Sequence, residues 1–268
     1  MRFGLIVVAA AGCAQGFEAV DPDAAGQRPI DAAILVDAAA DANVGQALCA
    51  AALETLRFDF EGSAQGFVHG KQSEVIGESG WTFDHWEQGP ASGTTICPSG
   101  NECWGTNLSG NYIQCQRAYL VSPQIDLSAC GSREIEPRIL LEHNYSFWFG
   151  QANGGQRFDG GIIEISGDGS TWQRVNLNYP GTIDINPNLG SSYACVEQDN
   201  FYVDGQPGFV GTSGGWVTES FTVPFSLATV SFQIRFLYAA GVSSQTTDQT
   251  QSMSGTAPGW YLDNLRFQ

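Results

Sequence analysis

Three histidines, His69, His85 and His143, are the only imidazoles this 268-residue chain offers for proton transfer near neutral pH. His85 follows Asp84 in "FDHWEQG", but adjacent residues on a strand point to opposite faces, so that pair cannot orient one another. His143 has the apolar parity of "ILLEHNYSFWF", the position of a hydrogen-bonded core histidine. "GTSGG", residues 211–215, matches the G-x-S-x-G nucleophile pattern. That pattern needs a strand before it and a helix after it. Here it falls in a loop of a chain with 33 glycines and reads as a chance match. There is no HExxH sequence, the helical metallopeptidase arrangement. Paired carboxylates for glycoside hydrolysis are defined by spatial separation, and no spacing in the sequence singles out such a pair.

Binding chemistry is better represented. In "PGWYLDNLRFQ", read as an uninterrupted strand, Tyr261, Leu265 and Phe267 share a face with Asp263. A carboxylate on a buried apolar face needs a partner; backbone amides or Arg57 are candidates. Trp86, Trp104 and Trp148, together with Trp81, are candidates for a platform that stacks on sugar rings, although tryptophans of this kind more often fill a core. Trp148 has the parity opposite to the Ile139–Phe149 apolar face, which in a two-layer sandwich meets solvent or ligand. Cysteines other than Cys13 number six: Cys49, Cys97, Cys103, Cys115, Cys130 and Cys195. An even set in an exported chain implies disulfides. Close spacing favours Cys97 with Cys103, closing "CPSGNEC", while the other pairings stay open; no CxxC or clustered histidine supports zinc.

The elements that must carry these residues are strands. Val230, Phe232, Ile234, Phe236 and Tyr238 share one parity, with Ser231, Gln233 and Arg235 opposite. Ile139, Leu141, His143, Tyr145, Phe147 and Phe149 form a second such face. "GGIIEISGDGSTWQRV" reads as a hairpin turning at Asp168-Gly169. Further strands are expected at "RFDFEG", "GWTFDHW", "CWGTNL", "RAYLVSPQI", "GWVTESFTV" and "GWYLDNLRF". About nine or ten strands without a long helix predict an all-β, antiparallel jelly-roll β-sandwich. Two long irregular stretches, residues 176–215 and 239–259, are of the length usual for functional or mobile loops.

The charge balance narrows the partners. The chain has 28 acidic against 11 basic residues, with Lys71 its only lysine. Nucleic acid is excluded, because phosphates require basic patches that replace their counterions. An acidic surface suits solubility or cation binding. At the amino end, "MRFGLIVVAAAGCAQG" has one basic residue, a short apolar run and then small residues. The run is far below the ~20 residues of a membrane span and reads as a signal peptide. "AAGC" resembles the lipobox of bacterial lipoproteins, with Ala10 where leucine is commoner. That resemblance implies lipid on Cys13, and Ala14 after it implies outer-membrane sorting. Residues 14–48 contain eleven alanines, with aspartate recurring at Asp23, Asp31, Asp37 and Asp41. Such a stretch cannot bury enough apolar surface to order itself. The division expected is a signal peptide over 1–12, a disordered acidic tether over 13–55 and the sandwich over 56–268, with a short alanine helix as the alternative within the tether.

"FDFEGSAQGF", "CWGTNLSGNY", "LVSPQIDLS", "FDGGIIEISGDGSTW", Gly215-Trp216 and the closing "GWYLDNL" occur in that order. Together they resemble the MAM-like jelly-roll modules of exported bacterial proteins, including the C-terminal domains of immune-inhibitor-type metallopeptidases. The likeness spans roughly residues 56–268. It implies adhesion or binding of an extracellular glycan or protein, without catalytic machinery, and a membrane association only through the lipid. It also implies a structural calcium ion between the first and last strands, held by Glu61 and Asp263, with Asp84 and Asp159 as weaker candidates. Calcium takes 6–8 oxygen ligands, which two carboxylates and nearby carbonyls would begin to supply. For Asp159, in "FDGG", a plain turn role is the alternative. The competing functional reading is a secreted glycoside or ester hydrolase using the jelly roll as its catalytic domain.

Overall fold

The computed structural model describes residues 32–71, 84–92, 96–112, 116–147, 157, 159–184, 205–240 and 257–268. Two compact units divide the chain, Met1–Ala40 and Asp41–Gln268. In the first, only the opening of helix α1 (Ala32–Glu54) falls among the described residues.

The second unit is a two-sheet antiparallel sandwich, as the alternating sequence requires. One sheet runs β11 (Val217–Thr222), β6 (Arg138–Ser146), β13 (Gly259–Phe267), β4 (Glu102–Gly105) and β3 (Glu87–Pro90). The short β1 (Arg57–Phe58) also pairs with β13. The other sheet runs β2 (Val68–Lys71), β5 (Gln116–Val121), β12 (Gln233–Ala240), β7 (Gly160–Ser166) and β8 (Gln173–Arg174). A two-strand ribbon, β9 (Gly181–Thr182) with β10 (Pro207–Gly208), lies within the first long irregular stretch. Of the strand expected at "GWTFDHW", residues 80–83 lie outside the described residues and 84–86 are irregular, and β3 begins at Glu87.

The core forms where the two predicted apolar faces meet. Ile139, Leu141, His143, Tyr145 and Phe147 from β6 and its extension are buried, as are Phe232, Ile234, Phe236 and Tyr238. Val230 lies outside this face and is exposed, because β12 begins at Gln233. Trp260 joins the sheets, its ring centroid 5.8 Å from Phe236, 6.0 Å from Trp86 and 5.6 Å from Phe209. It lies against Gly161, where an added Cβ would come within 2.4 Å of the indole. Burying a side chain of this size stabilises the fold by about 4–6 kcal/mol. The β7–β8 hairpin turns where expected. Asp168 accepts hydrogen bonds from the Ser170 and Thr171 amides at 2.8 and 2.6 Å, and these bonds hold its carboxyl well below the usual range. Gly169 supplies the positive φ of 73°.

The expected tether boundary at residue 55 is corrected. Helix α1 continues to Glu54, Cys49 and Leu53 are buried in the main core, and Cys49 is disulfide-bonded to Cys130 of α2 (Ser128–Gly131). Alanine has the highest helix propensity, and the disulfide supplies the tertiary anchor that a compositional argument lacks. Among the described residues, no helix is long and apolar enough to cross a membrane.

Candidate functional site

The final strand does not keep its parity. Pairing with β6 runs in register from Gly259 opposite Ser146 to Asp263 opposite Glu142, then shifts before Arg266 meets Leu140. Asn264 takes a left-handed φ of 48°, a conformation asparagine tolerates better than most residues. Trp260 and Leu262 therefore face the core before this bulge, and Leu265 and Phe267 face it afterwards. Tyr261 and Asp263 point outward, and Tyr261 packs with Cys97, Cys103 and Leu108. The expected sharing of one face by Asp263, Leu265 and Phe267 is thus wrong, because one bulge reverses the alternation.

Asp263 is fully buried beneath the Cys97–Cys103 loop, which the structure closes with a disulfide. Its Oδ1 accepts the Asn264 amide at 2.7 Å, and its Oδ2 accepts Ser99 Oγ at 3.2 Å. Arg57 is not its partner. Burial pushes the Asp263 carboxyl up to about 6, against lowering by the Asn264 and Ser99 bonds, and the Glu142 charge adds to the rise. Asn264 Nδ2 donates to Glu142 Oε2 at 2.9 Å. Glu61 reaches the other end of the same loop, where its Oε1 accepts the Asn101 and Glu102 amides at 3.0 and 3.1 Å. Ser99 Oγ also lies 3.2 Å from Asn264 Oδ1, so hydrogen bonds link Asp263, Ser99, Asn264 and Glu142, whose oxygens are the donor type that calcium takes. Glu61 serves loop amides instead of joining Asp263, and no group of three His, Cys, Asp or Glu side chains gathers among the described residues.

The weaker acidic candidates lie elsewhere. His69 Nδ1 donates to Asp84 Oδ2 at 2.7 Å, so Asp84 takes His69 as its partner. Asp159, a candidate for either metal binding or a plain turn role, is buried and accepts a short hydrogen bond from Tyr112 Oη. His143 is a core histidine: Nδ1 accepts from Trp260 Nε1 at 3.1 Å, and burial lowers its pKa. Its Nε2 lies 3.8 Å from Glu219 Oε1, beyond hydrogen-bond range. Ser213 of "GTSGG" accepts the Tyr145 amide at 3.0 Å and lies 2.7 Å from the Gly215 carbonyl. The strand β11 follows it, not the helix a nucleophile elbow needs.

Trp86 and Trp104 are each 2% exposed and pack in the core, so neither forms a surface platform. Trp148, Cys13, Cys115 and Cys195 lie outside the described residues. A different aromatic occupies an outer face. On the sheet containing β12, Val121, Arg235, Glu164 and Arg174 form one lateral row across β5, β12, β7 and β8. Arg235 holds Glu164 through both Nη2 at 2.7 Å and Nε at 2.8 Å, and both side chains are about nine-tenths buried. The half-buried Trp172 ring covers the pair, 4.3 Å from the guanidinium carbon. In the neighbouring row, Tyr119 lies over Gly70, where a Cβ would come within 2.7 Å of its hydroxyl. The ion pair fixes Arg235, and the guanidinium holds the indole over it. Sequence parity had put Arg235 on this outer face; Trp172 was missed because it sits in a turn beside a strand of two residues.

No protein-family model matches the chain. Bacillopeptidase F of Bacillus subtilis (strain 168) is 27% identical over 147 residues, half of this chain. The chain spans about a tenth of that relative's length. Among solved structures, the K2 cleaved adhesin domain of Lys-gingipain is 13% identical, with 80% of this chain and 87% of that chain covered at a TM-score of 0.30. The CBM27-1 of Caldicellulosiruptor saccharolyticus, solved with mannohexaose, is 16% identical over 79% of this chain and 94% of that one, at 0.38. The CBM22-1 xylan-binding domain of Xyn10C from Paenibacillus barcinonensis is 10% identical over 80% and 92%, at 0.33.

Proposed function

We propose that this chain is a non-catalytic surface binding protein whose β-sandwich engages an extracellular glycan or protein, held to the bacterial outer membrane by lipid on Cys13. The observation that carries the reading is the outer face on which Trp172 covers the Arg235–Glu164 pair. A fixed indole offers an apolar plane on which a sugar ring can stack, and the ion pair beneath it holds that plane in one orientation before binding. A structural calcium at Asp263 belongs to the same proposal: with Glu142, Asn264 and Ser99 it would neutralise a buried carboxylate and fasten the disulfide loop to the last strand.

The reading is tested with a glycan array and calorimetry on the full chain. Trp172→Ala should weaken binding of any glycan hit at least tenfold, about 1.4 kcal/mol. Trp216→Ala, on the outer side of the other sheet against Leu108 and Tyr261, should leave it unchanged. A hit whose affinity ignores Trp172→Ala removes the outer face as the site.

A further inference from the structure

The first and last strands of the sheet built on β13 set two arginines against each other. Arg57 of β1 is the direct register partner of Arg266 of β13, and directly opposed residues of an antiparallel pair project to the same face. Like charges so placed repel. Among the described residues neither side chain has an ion-pair or hydrogen-bond partner, and Arg266 Nε is buried without an acceptor. In a chain with 28 acidic and 11 basic residues, two adjoining guanidiniums without a carboxylate partner need an explanation.

A cavity of about 160 Å³ adjoins them, lined by Arg57, Phe58, Asp59, Asn264, Leu265 and Arg266. It lies at the bulge, where the register of β13 shifts between Asp263 and Arg266 and Asn264 turns left-handed. A water occupies about 30 Å³ of liquid volume, so the space accommodates a multi-atom group. Asp59 also lines the cavity, but its Oδ1 is engaged by Gln65 Nε2 at 2.7 Å and the Glu61 amide at 3.3 Å, and its single negative charge leaves the two guanidiniums with a net positive charge.

We propose that Arg57 and Arg266 form an oxyanion-binding site for the carboxylate, sulfate or phosphate group of a ligand from outside the chain. Guanidinium forks match such groups bidentately. One bound oxyanion would offset the repulsion between the arginines. The site lies on the opposite sheet from Trp172 and does not depend on glycan binding there.

The test follows arginine Nε–Hε resonances of the ¹⁵N-labelled full-length protein during titration with sodium sulfate, phosphate or acetate, with ionic strength held constant by chloride. The Arg266 resonance should shift saturably with at least one oxyanion and not with chloride. Which one saturates separates a tetrahedral group from a carboxylate, and sulfated against uronate-containing oligosaccharides then separate the corresponding ligands. Arg57→Gln should weaken binding at least tenfold. Arg266→Lys, which keeps the charge but loses the fork, should do the same. Arg138→Gln removes a charge from the same sheet, where that arginine bonds Ser220, and should change nothing. Non-saturating shifts with all three anions, or equal weakening by Arg138→Gln, would overturn the site.

Discussion

Asp263 and Leu265 sit two residues apart on β13 yet face opposite sides of its sheet, because Asn264 between them adopts a φ of 48°. The left-handed residue lets the carboxylate reach the Cys97–Cys103 loop while the leucine returns to the core.

The buried Asp263 gives a signed pH dependence. Its folded pKa is raised to about 6 from 3.8, so the fold favours the protonated form. Stability is then highest below the unfolded pKa and falls as pH rises through the folded one, by up to roughly 3 kcal/mol. In chelator, Asp263→Asn should raise Tm at pH 8 and leave it nearly unchanged at pH 4. Saturating calcium should raise the wild-type Tm at pH 8, with about 2.7 kcal/mol at a hundredfold excess over Kd, and should not affect Asp263→Asn. Thermal melts at the two pH values check both arms; a variant destabilised equally at each contradicts them.

The Arg235–Glu164 pair is buried, so removing one partner strands the other. Glu164→Ala should cost about 3 kcal/mol, a fall in Tm of roughly 6–12 °C. The double variant Glu164→Leu with Arg235→Met should recover most of that loss. Calorimetric melts of the three proteins decide it, and additive losses would mean the pair is not coupled.

Cys49 and Cys130 close a separation of 81 residues. Replacing both with serine should lower stability by about 2–4 kcal/mol. Amide exchange over residues 41–54 should rise more than exchange in β6 or β12. Uniform acceleration across all three segments would show that the helix is not a separate unit.

Lipid attachment is checked by fractionation. Cys13→Ser should release the protein from the membrane fraction or block its maturation, whereas unchanged membrane association would refute lipidation at that residue.

The parts of this molecule visible in its sequence are those governed by strict alternation. Ile139 to Phe147 and Phe232 to Tyr238 face the core as their spacing demands, because both strands run unbroken beside long partners. β13 broke the same rule, and its only local sign was an asparagine, a residue that tolerates a left-handed turn without requiring one. Helix α1 was hidden differently: its alanines signal propensity, but its docking depends on Cys49 finding Cys130, which no sequence spacing reveals. Trp86 and Trp104 have the types expected of a stacking surface, and only the three-dimensional packing shows both inside. Glu164 and Arg235 lie 71 positions apart in the chain, so their pairing under Trp172 depends on the register between β7 and β12.

The position of β13 governs when this sandwich can assemble. Its residues 259–267 form an interior strand bonded to segments at 138–146, 102–105 and 57–58. The sheet therefore cannot close while a ribosome still holds residue 259, however long the earlier strands have been free. Contacts spanning such distances make for slow folding, and until β13 inserts, β6 and β4 present open edges of the kind that invite aggregation. Deleting residues 259–267 should thus yield an aggregating chain rather than a smaller sandwich.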